Sequence, residues 1–458
     1  MNAEESTPFR RRLLRGLALA PAAALGSTVA GCGPVGSPES APAELPSDTT
    51  TTATSPSAQP ASPAPAEPAR PEAAELTIRW NGLDPGGQAA ATDFASRLRD
   101  ETGISVTPDF SDWSSSFQKI ITGIAAGTAP DIWQGGGLWT PVLAANGGTL
   151  FLDDFVNDWS HWPDFYPAAV DDVTYEDHVH GVPYRVNLRS PVIRPSMFAA
   201  AGLDPKAPGT WEELREVAPQ LTVRLGDTWE QAGFNQSGGS QDWDSWLLQA
   251  GPLLEPDISP PTINRGAVRA VLEQYVFLGS AVVMPPGGMD SGVPNLHPFC
   301  AGKVAIQRLW PGDLANCELN DPIVFNDSVA GEPWVGPFGE KIVPLHIDKY
   351  MAYKLTKSPA AVYTVLEHLS DLDVNFEINV QTRRSLPCRG AMESYAIFGV
   401  SPWREFVNNI QYAALPATVN QHSDLLPILS PWFEKAVGGE VTVDGALAGI
   451  EEALAAAD

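Results

Sequence analysis

From Leu76 to Ile132 strand-like and helix-like patterns alternate, and that alternation restricts the chain to few architectures. Leu76 to Trp80 alternates as a strand; Ala91, Phe94, Ala95 and Leu98 then recur on one helical face, and Gly103 stops that helix before a second strand at Ile104 to Val106. The unit repeats. Phe117, Ile120, Ile121, Ile124 and Ala125 share a helical face, Gly127 ends it, and Pro130-Asp131-Ile132 opens a third strand. Strands alternating with helices predict an α/β fold on a mostly parallel sheet with helices on both faces.

The stretch Gly181 to Leu214 carries a second local order. Pro191 and Pro195 bracket a β-branched strand segment, Val192-Ile193; Gly202 and Pro205 close a short helix and turn; Thr210 and Glu213 form a T-x-x-E capping box that starts a helix. Leu214, Val217, Ala218 and Leu221 recur on one face of that helix.

The N-terminal end reads as an export signal over residues 1–31. Arg10, Arg11, Arg12 and Arg15 form a positive region, Leu17 to Val29 is small and apolar, and Val29-Ala30-Gly31-Cys32 has the form of a lipobox. Cys32 is the expected lipidated first residue, which places the protein on the outer side of the cell membrane. The apolar run is short for a membrane span. The arginine pair also resembles a twin-arginine signal, and the export route stays open. Residues 32–75 are rich in Pro, Ala, Ser and Thr and hold too little apolar surface to offset the entropy of ordering. They are expected to act as a semi-extended tether.

The remaining chain is long enough for two lobes with separate cores. A formal charge of -27 argues against nucleic acid as a partner and against a polybasic membrane face. Beyond Cys32 three cysteines remain, so at least one thiol stays free, while Cys300 and Cys317 can bridge in an oxidising compartment. No Cys/His spacing suggests a metal, no cofactor motif is present, and His178 and His180 read as solvated side chains of a polar turn.

Several motifs in a fixed order resemble the extracellular solute-binding proteins of ABC importers, in their carbohydrate-binding group: Gly181-Val-Pro-Tyr184, Ala201-Gly-Leu-Asp-Pro205, Thr210-Trp-Glu-Glu-Leu214, Ala125-Ala-Gly-Thr-Ala-Pro-Asp-Ile132, Phe299-x-x-Gly-Lys-Val-Ala-Ile306 and the C-terminal run from Gly438 to Leu454. The resemblance implies a two-lobe periplasmic-binding-protein-like fold with ligand in the interlobe cleft. It also implies a monomer, a sugar or oligosaccharide as ligand, and ABC permease subunits as partners. The first crossover is expected near Pro191 and the return near Ile342 to Leu345. The lobes are then 76–193 with 342–395, and 194–341 with 396–458. The usual Tyr-Asn-Lys of the crossover is replaced by Ile193-Arg194-Pro195-Ser196.

Sugar binding needs aromatic faces for pyranose C–H groups, with carboxylate, amide and guanidinium partners for the hydroxyls. Among the 14 tryptophans, Trp310 follows the strand Val304 to Leu309, precedes the turn at Gly312-Asp313, and matches the family's sugar-stacking aromatic. Strand ends are where open α/β sheets present ligands. Trp243 matches the family's cleft aromatic, with Asp242 beside it. Trp80 with Asn81 and Asp112 with Trp113 follow the first two strands, where for each tryptophan the core is the other reading, and Gln134 with Trp139 occupies a Gly-rich turn after the third. Trp133 and Trp211 read as packing. The resemblance adds Tyr184 and Asn187 ahead of the crossover and Arg389 after Leu386-Pro387, where a structural salt bridge is the alternative.

A second binding reading is a polyamine or another cationic solute, because acidic residues with Trp also make cation cages. The rival class is a surface glycoside hydrolase. No G-x-S-x-G, H-E-x-x-H, P-loop or motif-placed carboxylate pair supports it. The expectation is a receptor and not an enzyme.

Overall fold

The computed structural model describes residues 74–457, apart from 138, 237–239, 256–261, 294–295, 382–384 and 416–418. The export signal, Cys32 and the expected tether as far as residue 73 lie outside the described residues; Glu75, expected as the end of the tether, already opens the first strand and pairs with Ser105. Among the described residues no helix is long and apolar enough to cross a membrane.

The strands run in chain order as β1 Glu75–Asn81, β2 Ser105–Ser111, β3 Ile132–Gly135, β4 Thr174–Tyr175, β5 His178–Val179, β6 Gly181–Asn187, β7 Ser190–Ile193, β8 Val223–Leu225, β9 Thr228–Phe234, β10 Val304–Leu309, β11 Val329–Ala330, β12 Val343–Pro344, β13 His346–Ala352 and β14 Ala413–Ala414. Ten of them form two five-stranded sheets, β2-β1-β3-β13-β6 in the first lobe and β11-β7-β10-β9-β8 in the second, and the rest form the two-stranded sheets β12-β14 and β4-β5.

Local sequence explains the first units. In β1, Leu76, Ile78 and Trp80 alternate into the core. Helix Pro85–Thr102 buries Ala91, Phe94, Ala95 and Leu98, is capped by the Asp84 side chain, and ends at Gly103 with φ of 82°. Helix Trp113–Ala126 ends likewise at Gly127, and Ala125, expected on its apolar face, is exposed. Thr210 accepts from the Glu213 N–H at 3.1 Å, as the capping box requires. The Glu213 carboxylate reaches back to the Gly209 N–H at 2.6 Å.

Both sheets are mixed, which corrects the expectation of mostly parallel ones. β1 pairs parallel with β2 and β3, but β13 runs antiparallel to β3 and β6. In the second sheet only β9 and β10 pair in parallel; β7, β8 and β11 join antiparallel. The physical reason is the crossovers. β6 leaves and β13 enters the first lobe at the same edge, so the two strands run in opposite senses.

That edge also fixes the crossing point. Ser190 to Ile193 already pair with β10, so the chain changes lobes at Leu188-Arg189, ahead of the expected boundary at 193. It returns at Leu345, whose N–H bonds the Ala414 carbonyl, before β13 joins the first sheet. The C-terminal helices Val419–Val437 and Val443–Ala457 bury Leu429, Phe433, Leu447 and Ile450 in the second-lobe core. In that core Trp246 stacks on Trp334 with ring centroids 5.2 Å apart, and Trp211 meets Trp246 edge-on.

Cys300 and Cys317 form a disulfide, and Cys388 is a buried free thiol whose pKa burial pushes up. His180 is buried and shares a hydrogen bond with Thr149, so only His178 is the solvated side chain expected of that pair.

Candidate functional site

The register places the functional edge. Asn81 pairs with Ser111, and Lys349 pairs with Gly135, so His346 and Asp348 extend past the C-terminal end of β3. His346 is opposite Asn187 and Asp348 opposite Arg185. In the second lobe, Leu309 at the end of β10 is opposite Ser190 at the start of β7. The C-terminal ends of β1, β2, β3 and β10 therefore meet where the chain crosses between lobes, the crevice at which open sheets place ligands.

A row of polar side chains lies on one face of this edge, because residues two apart on a strand share a face. Arg185 and Asn187 on β6 both donate to the Asp348 carboxylate on β13, at 2.6 and 2.8 Å. Arg185 also reaches the Ser385 hydroxyl at 3.2 Å. The Arg185–Asp348 pair is over nine-tenths buried. Holding both charges in hydrogen bonds is what makes such burial tolerable.

Aromatic rings flank the row. Trp113, at the start of its helix, and Trp139 meet edge-on with centroids 5.8 Å apart, and the Arg185 guanidinium lies 5.8 Å over Trp113. The glycine turn after β3 permits this. A Cβ on Gly136 would sit 3.2 Å from Trp139 and 3.6 Å from Trp113, and one on Gly137 would press on His346. From the second lobe, Trp310 meets His346 edge-on at 5.5 Å, and the Arg189 guanidinium lies 4.8 Å over the Trp310 ring. Trp113, Trp139 and Trp310 are all half-buried.

A buried ion pair supports this floor. Lys349, fully buried on β13, pairs with Asp172 and donates to the Gly137 carbonyl at 3.1 Å. Burial pushes the Asp172 carboxyl up, against the pull of Lys349.

Of the residues expected at the site, Trp310, Trp139 and Asn187 come together here. Asp112 is exposed beside Trp113. Asp313 accepts the Trp310 backbone N–H at 3.0 Å and so fixes the turn that presents the ring. The others are corrections. Trp243 is in the second-lobe core, bonded to the Tyr275 hydroxyl at 2.6 Å and stacked on Phe433. Trp80 is fully buried in the first-lobe core. Asn81 and Gln134 are buried and bond each other, with Gln134 also donating to Asn379 at 2.9 Å. Tyr184 is buried against Tyr350. Arg389 bonds Asp164 at 2.9 Å and the Ser370 carbonyl at 2.8 Å, the structural alternative. The Asp242 side chain lies outside the described residues. Sequence reading missed Arg185, Arg189, His346 and Asp348; the i, i+2 spacing of Arg185 with Asn187 on β6 and of His346 with Asp348 on β13 was the available signal, and Arg189 continues that spacing into the link after β6. Among the described residues no cluster of His, Cys, Asp or Glu is placed to hold a metal.

Residues 84–367, more than half of the chain, match the family model of the bacterial extracellular solute-binding protein. The chain belongs to that family. This solute-binding protein is similar in fold to an ABC transporter solute-binding protein from Thermotoga lettingae bound with alpha-D-tagatose. The two superpose with a TM-score of 0.70 at 18% identity, over 83% of this chain and 98% of that one. It is similar to the GacH receptor of Streptomyces glaucescens, solved unliganded and with acarbose, at a TM-score of 0.69 and 18% identity over 83% and 97%. Maltose-bound MalE3 of T. maritima matches at a TM-score of 0.69 and 19% identity, over 84% and 100%.

Proposed function

We propose that this solute-binding protein captures a sugar or oligosaccharide between its lobes and delivers it to the permease of an ABC importer. The observation that carries the reading is the convergence of Trp310 from one lobe and Trp113 and Trp139 from the other on the row Arg185, Asn187, His346 and Asp348. Rings accept the C–H faces of a sugar, and guanidinium, amide, imidazole and carboxylate groups meet its hydroxyls. The tagatose, acarbose and maltose held by proteins of this fold support it. Binding is expected to bend the two links at Leu188-Arg189 and Leu345, so that the lobes hinge shut around the ligand. Only interactions that form in the closed state can drive that motion.

A cationic ligand fits the same groups less well. Guanidinium groups already lie over Trp113 and Trp310, and Asp348 is engaged by Arg185 and Asn187. Trp310→Ala is expected to weaken sugar binding by roughly 1–3 kcal/mol, the order for an apolar side chain buried against a partner. Calorimetric titration of both proteins tests this, with ligand-free melts alongside. Unchanged affinity would place Trp310 outside the site, and collapse of the ligand-free melt would make it a core residue.

The lipobox supports anchoring through Cys32. Cys32→Ala should move the protein from the membrane fraction to the soluble one on cell fractionation; a variant that still sediments with membranes would refute lipid anchoring.

A further inference from the structure

We propose that Arg189 is a built-in cap on Trp310, a side chain that holds the stacking face of this ring until ligand displaces it. The inference rests on the reading of the cleft as a sugar site and adds what sets its affinity. Arg189 belongs to the short link Leu188-Arg189 that joins β6 of the first sheet to β7 of the second. Its guanidinium lies 4.8 Å over the Trp310 ring, and the ring meets His346 of the first lobe at an interplanar angle of 76°.

A planar guanidinium and the C–H face of a pyranose both require an aromatic face, and neither is served by the ring edge. On the face that the guanidinium covers, the two therefore compete. The position of Arg189 adds a mechanical consequence. Trp310 is carried by the second lobe, His346 by the first and Arg189 by the link itself, so any φ/ψ change that closes the lobes also moves the guanidinium relative to the ring. Ligand stacking, removal of the cap and hinge motion are then one event. The cap lowers affinity by the free energy needed to lift it, and it disfavours cationic ligands at the same face.

The test is calorimetric titration of wild type, Arg189→Met, Arg189→Lys and Trp310→Ala with a sugar that binds wild type. Methionine keeps apolar bulk and removes the cation. Arg189→Met should bind roughly 3- to 30-fold more tightly, the range that the cation–π contact spans when converted to an equilibrium constant. Arg189→Lys, which keeps a charge without the planar fork, should fall between. In the Trp310→Ala background, Arg189→Met should gain clearly less affinity than it gains with Trp310 present, since the ring contact is already gone while the other contacts of Arg189 are lost in both backgrounds. Affinity of Arg189→Met equal to or weaker than wild type overturns the cap while leaving the sugar site standing. If neither wild type nor Arg189→Met binds any sugar although both melt alike, the sugar reading itself fails and the cap falls with it. Should Arg189→Met fail to fold, Arg189→Lys carries the same comparison.

Discussion

Asp172→Ala is expected to destabilise the protein by about 3–5 kcal/mol, because it strands a buried ammonium. Lys349 is fully buried, and its partners are the Asp172 carboxylate and the Gly137 carbonyl. Removing the carboxylate leaves the cation in low dielectric with one neutral acceptor. The double variant Asp172→Leu, Lys349→Met should recover most of the loss, since buried pairs replaced by apolar side chains of similar volume are often neutral or better. Urea midpoints of the three proteins decide it; a single variant within about 1 kcal/mol of wild type would show the pair to be solvated. The pH dependence has a definite sign. Desolvation lifts the folded pKa of Asp172 above its unfolded value, to about 6, while Lys349 pulls it down. A carboxyl shifted upward adds stability that is complete below its unfolded pKa, about 4, and is lost as pH rises through the folded one. The deficit of Asp172→Ala should therefore be larger at pH 5 than at pH 7. A surface ion pair would give the opposite trend.

Removing the Cys300–Cys317 bridge by the double substitution to alanine is expected to cost about 3 kcal/mol, the loop-closure value for a loop of this length. The bridge spans a sequence separation of 17, and within that loop lie β10 and the turn that presents Trp310. Both cysteines are buried, so the cross-link acts inside the second lobe where β10 meets helix Pro311–Asn320. Freed of it, the unfolded segment regains chain entropy, and the Trp310 turn is held by the Asp313 cap and packing alone. Thermal and urea unfolding under non-reducing conditions provide the comparison. Equal midpoints for variant and wild type would mean that the bridge constrains nothing the fold does not already fix.

Elements set by neighbours in sequence were legible. The alternation of Leu76, Ile78 and Trp80, the stops at Gly103 and Gly127, and the Thr210 cap each depend on contacts within a few residues. Tryptophan placement depends on distant partners. Trp243 is buried because Phe433, from a C-terminal helix, stacks on it, and no local pattern distinguishes it from Trp310. The polar row has the same origin: Asn187 and Asp348 are 161 residues apart in sequence, and their meeting is fixed by the antiparallel pairing of β6 with β13. Strand sense was illegible for a related reason, since it follows from where the chain crosses between lobes.

The most direct test of sugar capture is titration calorimetry of the purified protein against mono- and oligosaccharides, with spermidine as the cationic control, at low and high salt. The cleft predicts saturable one-site binding of at least one sugar, little changed by salt and matched by a melting shift that grows as RT ln(1 + [L]/Kd). Binding of spermidine alone, weakening steeply as salt is raised, would contradict it.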